Sequence, residues 1–156
     1  MENGKEKTRE IPGQDYAESQ NTPYCITRRY GQTFEQTVKK LKNGLEKLGF
    51  DIVGEFDVQQ YLKSKIEKMP KHLILLVCEK ETASQLITTD TQMGILFPCN
   101  VTVKEVQDNS AIEIAIEDTD TTWAASMKSE IQDIAKNTKA TLTKVLDNIE
   151  QSHFKL

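Results

Sequence analysis

Residues 112–117 constrain the fold of this chain more than any other segment. They run Ile-Glu-Ile-Ala-Ile-Glu, and this two-residue period is typical of a strand with one buried face and one solvated face. Turn-forming residues at 108–110 precede them, and valines alternate before the turn at 101 and 103. The pattern predicts an antiparallel hairpin with Glu113 and Glu117 on the solvated face, and an apolar face that another layer must cover.

Two amphipathic helices can form that covering layer. The first is predicted from Thr33, which has Gln36 in capping-box spacing, to Gly49, which suits the left-handed position after a helix. The second is predicted from Ser129, with Gln132 in the same spacing, to about residue 150. Apolar residues recur every three or four positions and share one face of each helix: Phe34, Val38, Leu41, Leu45 and Leu48, then Ile131, Ile134, Thr138, Leu142, Val145 and Ile149.

Shorter patterns precede the first helix and lie between the two. Strands are predicted over 24–30, 50–56 and 72–78, with short helices opening at Asp57 and covering 80–88. In the second strand, Gly54 predicts a bulge or a close backbone approach. Three further side chains are predicted to face the core: Ile52 and Phe56 on the strand and Tyr61 on the short helix.

The order of these segments predicts an α+β domain. We expect a curved, mostly antiparallel sheet with helices on one face and a long C-terminal helix. Residues 1–22 are polar and carry charges of both signs, so they are predicted to be a flexible tail. Residues 23–152 are predicted to form a single domain.

The composition argues against several classes of partner. The 156 residues carry a formal net charge of -4 at pH 7, which is unsuited to binding nucleic acid by neutralising phosphates. No apolar run approaches the length of a membrane-spanning helix, so we expect no membrane partner. Three cysteines without C-x-x-C spacing indicate a reduced chain in the cytoplasm.

A first candidate site surrounds Pro98, which interrupts an apolar run and is followed by Cys99. Proline cannot donate to a sheet ladder, so the position predicts a bend, a bulge or a strand start. Large, adaptable side chains nearby predict the mouth of an apolar pocket between the sheet and the C-terminal helix: Met93, Phe97, Trp123 and Met127. The alternative interpretation is that these side chains fill the core.

A second candidate site combines Cys78 and Cys99, which stand at the ends of two predicted strands. If their sulfurs meet at one end of the sheet, they could form a reversible dithiol or a soft-metal site. The alternative is that both pack as small buried hydrophobes. Because His72 and His153 have no partner at metal-ligand spacing, we expect no metal and no cofactor.

Catalytic signatures are weak. Carboxylates between residues 113 and 120 could supply a general acid–base pair, but a solvated strand face already explains Glu113 and Glu117. Arg28 and Arg29 are interpreted as the surface of an edge strand. The chain has no phosphate-binding glycine loop, nucleophile elbow or dinucleotide fingerprint. We therefore assign no catalytic residue and expect a protein that is not an enzyme.

Two blocks of the sequence resemble a known family. The first is the helix end at 48–50 with Gly54 and Asp57, and the second is the strand end at Cys78 with the segment 94–103. Together they resemble the bacterial and archaeal domain-of-unknown-function family 302, over roughly residues 30–150. The resemblance implies a TATA-binding-protein-like layout and frequent homodimers. It implies no established activity.

From these observations we interpret the chain as a homodimeric cytoplasmic module that binds a small apolar ligand or a protein partner. The ligand pocket is expected near Cys99 and Trp123. The alternative is a thiol-based redox or soft-metal-handling protein that uses Cys78 and Cys99.

Overall fold

A single five-stranded sheet organises the computed structural model, which describes residues 8–10, 22–106 and 111–149. The strands are β1 (Cys25–Tyr30), β2 (Asp51–Asp57), β3 (His72–Cys78), β4 (Cys99–Glu105) and β5 (Ile112–Glu117). Their order across the sheet is β1-β5-β4-β3-β2, and every pair is antiparallel. The β4–β5 pairing confirms the predicted hairpin, although its turn lies outside the described residues.

Three longer helices form the second layer. In chain order the described helices are α1 (Phe34–Lys47), α2 (Val58–Leu62), α3 (Lys80–Thr89), α4 (Thr119–Thr122) and α5 (Ser129–Asn148), with 3-10 turns at Thr91–Ile95 and Ala124–Ser126. The three longer helices are α1, α3 and α5. The predicted α+β class, with an antiparallel sheet and a long C-terminal helix, is confirmed. Of the bend, bulge or strand start predicted at Pro98, the structure shows a strand start, because β4 begins at the next residue.

The core lies between one face of the sheet and helices α1, α3 and α5. Alternate strand residues meet the apolar stripes of the helices in one buried cluster, which includes Leu75, Val77, Val101, Val103, Ile114, Ile116, Leu41, Leu45, Leu86, Ile131, Leu142 and Leu146. At its edge the Tyr30 hydroxyl donates to the Leu146 carbonyl at 2.9 Å. Burial raises the pKa of Tyr30 to about 12, so this hydroxyl stays a donor at neutral pH.

The two predicted helix starts differ in the structure. At α1, Thr33 accepts from the Gln36 backbone N–H while the Gln36 side chain accepts from the Thr33 N–H, which confirms the predicted capping box. Gly49 follows the helix with a φ of +90°, as expected. At α5, the N-cap is Lys128, with no side-chain cap bond. The capping box predicted at Ser129 is wrong, because that residue is already the first helical position.

Strand β2 contains a bulge, as Gly54 predicted. The sequence did not indicate how the bulge changes the faces of the later side chains. The register shifts between Ile52 and Gly54, and a Cβ on Gly54 would lie 3.0 Å from a Leu76 methyl group. The extra residue moves Phe56 to the face opposite Ile52, where it pairs with Ile74. The prediction that Ile52 and Phe56 share a face is therefore wrong.

The prediction of an inward Tyr61 is also wrong. Its side chain is 71% exposed and lies against the Phe56 ring, with 5.2 Å between the ring centroids. Of the predicted tail, residues 8–10 and 22 are described, and Arg9 forms a β-bridge with Ile66. The remaining tail residues and the predicted domain end at 150–152 lie outside the described residues. Within the described chain, no helix is both long and apolar enough to cross a membrane.

Candidate functional site

The side chains predicted to line an apolar pocket lie in different environments. Met93, Cys99 and Trp123 are buried in the core, and Phe97 packs against it. The Trp123 indole N–H donates to the Leu96 carbonyl at 2.9 Å. Met127 is instead 90% exposed and adopts a left-handed backbone conformation. Met93, Cys99 and Trp123 therefore pack in the core, and Met127 is separate from them.

The two cysteines predicted to act together lie near each other but on opposite faces of the sheet. Cys99 pairs with Val77 and faces the core, whereas Cys78 follows Val77 and alternates to the other face. Burial raises the pKa of the Cys99 thiol, and the nearby Glu117 and Cys78 side chains raise it further. Burial also raises the pKa of Cys78. Both thiols are therefore held protonated, which disfavours nucleophilic and metal-binding roles at neutral pH.

Metal ligation finds no further support. Among the described residues, no group of three or more His, Cys, Asp or Glu side chains is placed to hold a metal ion.

A different candidate site lies on the face of the sheet opposite α1, α3 and α5, which we call the open face. Cross-strand pairing arranges its side chains in three rows. The charged row contains Arg29, Glu113, Lys104 and His72; the short row contains Thr27, Ala115, Thr102 and Ile74; the third row contains Cys25, Glu117, Asn100 and Leu76. The large apolar side chains on the intervening strand positions point into the core.

The charged row contains a buried carboxylate. Glu113 is only 5% exposed, and it accepts from Arg29 Nε at 3.1 Å and pairs with Lys104 Nζ at 3.4 Å. The prediction of a solvated Glu113 is therefore wrong. β1 is an edge strand, as expected, but the Arg29 side chain is only 12% exposed and does not form part of the predicted surface. The two-residue period places Glu113 on the correct face, but it carries no information about cross-strand cations, which offset the cost of burying the carboxylate.

His72 ends the charged row next to Lys104. Burial lowers the pKa of its imidazole, and the positive charge of Lys104 lowers it further. A histidine with a lowered pKa is neutral at physiological pH. Its ring can therefore both donate and accept a hydrogen bond on the open face.

Glu117 stands at the other end of β5 and is half-buried. The Thr122 hydroxyl donates to one carboxylate oxygen at 2.7 Å, and the Asn100 N–H donates to the other at 3.4 Å. Burial raises the pKa of Glu117, while these hydrogen bonds lower it. The prediction of a solvated Glu117 is also wrong, because α4 and β4 bring these donors over it.

Glu113 and Glu117 are not brought together as an acid–base pair. They are four residues apart on one strand, which separates their Cα atoms by about 14 Å. Their carboxylates are also held at opposite ends, by Arg29 and Lys104 on one side and by Thr122 on the other. In glycoside hydrolases, which use a pair of carboxylates as acid and base, the two carboxyl groups lie within about 10 Å of each other. The arrangement suits binding better than proton transfer.

Between these two ends the open face is concave. The short row leaves a trough of about 570 Å³, since Ala115 and two threonines fill little space above the strands. The trough is lined by Thr22, Tyr24, Cys25, Thr27, His72, Asn100, Thr102, Lys104, Glu113, Ala115, Ile116, Glu117 and Thr122. None of the six residues predicted to form a site lines it. The signal that could have found it is the small Ala115 between two carboxylates on the same strand face.

A second concavity of about 580 Å³ lies between α1 and the start of β3. Its apolar lining comes from Phe34, Val38 and Leu73, and Lys71 pairs with Glu35 at its rim. His72 lines both concavities. His72 is thus the one described lining residue that the two concavities have in common.

Comparisons with known proteins agree on one family. The chain is similar to the crystal structure of an uncharacterized conserved protein DUF302 from Bacillus stearothermophilus, with a TM-score of 0.74 and 21% sequence identity, over 81% of this chain and 98% of that chain. At this identity the likeness shows a shared fold alone. No curated protein matches the chain. The family described as "Domain of unknown function DUF302" matches residues 26–149, which span the sheet and its helices, and the chain therefore belongs to the DUF302 family.

Proposed function

We propose that this domain is a non-enzymatic binding module that holds a small ligand in the trough of the open face. The observation that carries the proposal is the short row at Ala115, Thr27 and Thr102 between two ends that bear buried or half-buried charges. The trough volume falls within the range of about 300–1,000 Å³ that small-molecule sites occupy. Charged groups held away from water are costly to the fold, and a ligand that uses them offers a reason for their presence.

The proposed place differs from the apolar pocket expected between the sheet and the C-terminal helix. Met93, Cys99 and Trp123 occupy that region as core residues. The lining of the trough is also more polar than the pocket expected from the sequence, so the ligand is proposed to be polar at its ends. The thiol alternative for Cys78 and Cys99 draws no support from their raised pKa values.

Native mass spectrometry of freshly purified full-length protein tests the proposal. We expect an added mass on the wild-type chain that disappears in Ala115→Trp, because the indole fills the middle of the trough. Ala140→Trp is the matched control, since Ala140 is exposed on α5 away from the sheet. An unliganded wild-type chain, or an added mass that Ala115→Trp retains, would overturn the proposal. Circular dichroism of both variants checks that they fold.

A homodimer is a second proposal, favoured by one exposed cluster. Val53 and Phe56 on β2 and Tyr61 on α2 are large, exposed apolar side chains. Among the described strands β2 is an edge strand, and such groups beside a sheet edge are typical of association sites. Sedimentation of wild-type protein at micromolar concentration is expected to show a dimer, and Phe56→Ser with Tyr61→Ser is expected to shift it to monomer. A monomeric wild-type protein would contradict this second proposal.

A further inference from the structure

Resting on the proposed function of the trough, we infer that its ligand is an extended molecule with a carboxylate at one end and an ammonium or hydroxyl donor at the other. The carboxylate would lie at Lys104 and His72, and the donor would lie at Glu117. The inference follows from the charges at the two ends and from the distance between them.

The charged row carries one surplus positive charge. Arg29 and Lys104 both pair with Glu113, so two cations share one carboxylate. The Arg29 and Lys104 side chains are 12% and 28% exposed, and water therefore screens the surplus charge poorly. Arg29 Nη1 is buried without a hydrogen-bond partner among the described residues. An anion bound beside Lys104 would balance this row.

The opposite end of the trough carries a carboxylate, Glu117, instead of surplus positive charge. The hydrogen-bond partners of Glu117 include the Thr122 hydroxyl and the Asn100 N–H, and neither group carries a charge. Among the described residues, no cation is found in an ion pair with Glu117. A ligand ammonium would therefore supply the charged partner that these neutral donors do not provide, and a ligand hydroxyl would add a further neutral donor.

The spacing between the two ends sets the length of the ligand. Lys104 stands beside Glu113 in the charged row, and the Glu113–Glu117 separation on β5 is about 14 Å. Because the side chains at both ends reach toward the trough, the two polar groups of the ligand would be roughly 10 Å apart. An extended chain of about eight carbons spans that distance over the short row.

Amide NMR titrations of the full-length protein with 8-aminooctanoate, octanoate and octylamine test this inference. We expect 8-aminooctanoate to shift the backbone amides of Thr27, Thr102 and Ala115, and to bind about tenfold or more tightly than either probe with one charged end. Lys104→Gln should remove the advantage over octylamine, and Glu117→Gln should weaken the advantage over octanoate. Lys136→Gln on the exposed surface of α5 is the control and should change neither.

Two outcomes would overturn the inference. If octanoate or octylamine shifts the same amides at the same concentrations as 8-aminooctanoate, the trough does not recognise both charged ends of a ligand. If none of the three probes shifts these amides at millimolar concentration, the assigned ligand chemistry is wrong. In either case the proposed binding function stands or falls separately, on the added mass and its loss in Ala115→Trp.

Discussion

At the scale of single residues, Glu113 is a buried carboxylate that pairs with two cations of the charged row. Its alternation with isoleucines correctly predicts the strand and the face on which the side chain lies. Burial depends on Arg29 and Lys104, which come from two other strands and become neighbours only when the sheet forms. A periodic pattern describes one strand at a time, so the ion-pair network could not be predicted from it.

Replacing Glu113 by glutamine should destabilise the fold. The change leaves the Arg29 and Lys104 charges close together without their carboxylate, and loss of one member of a buried ion pair costs about 3 kcal/mol. Urea unfolding measures the difference in the free energy of unfolding. Glu46→Gln, at an exposed position of α1, is the control and should change stability by less than about 0.5 kcal/mol. An equal effect of both substitutions would contradict the account of the charged row.

His72 should make the fold less stable in mild acid. Because its pKa is lowered in the folded state, the unfolded chain binds more protons below its ordinary value of about 6.5. The stabilisation is therefore present above that value and is lost as the pH falls through the lower folded pKa. Urea midpoints at pH 8 and pH 5.5 should differ less in His72→Gln than in wild type. An unchanged difference would count against this assignment.

Cys99 should be unreactive in the folded protein. Burial raises its pKa and keeps reagents out, so the reactive thiolate is scarce. In the Cys25→Ser, Cys78→Ser variant, which keeps Cys99 as its one cysteine, we expect labelling by an aromatic disulfide reagent only after denaturant is added. Rapid labelling of the native variant would revive the thiol alternative.

At the scale of elements, the sequence predicts the strands and helices well and their relative register less well. The β4–β5 hairpin, α1 and α5 follow directly from periods of two and of three to four residues. The face predicted for Phe56 is wrong, because the bulge in β2 inserts one residue and moves every later side chain to the opposite face of the sheet. Gly54 signalled the bulge, but nothing local to the strand states on which side of the glycine the register changes.

The two helix starts provide a matched pair for a cap substitution. Thr33→Ala removes the side-chain acceptor that caps α1, and we expect it to lower the free energy of unfolding by about 1 kcal/mol. Ser129→Ala should have almost no effect, because Lys128 is the N-cap of α5 and no side chain caps that helix. Urea unfolding of both variants measures the contrast. Equal losses would mean that Ser129 is the N-cap and that α5 begins one residue later, at Glu130.

At the scale of the whole molecule, the helices cover one face of the sheet and leave the other to polar chemistry. The site predicted from the sequence lies on the covered face, because apolar periodicity identifies core positions. The predicted site residues Met93, Cys99 and Trp123 are accordingly core residues. The trough could not be predicted in the same way. Its lining comes from four strands and from α4, and no continuous stretch of the chain contains more than a few of its members.

The central claim is that the open face, and not the sheet–helix core, holds the ligand. The most direct measurement is a crystal structure of the full-length protein purified without displacing bound small molecules. We predict electron density in the trough above Ala115, in contact with Lys104 at one end and Glu117 at the other. A trough that contains only solvent, with ligand density between the sheet and α5, would contradict the claim.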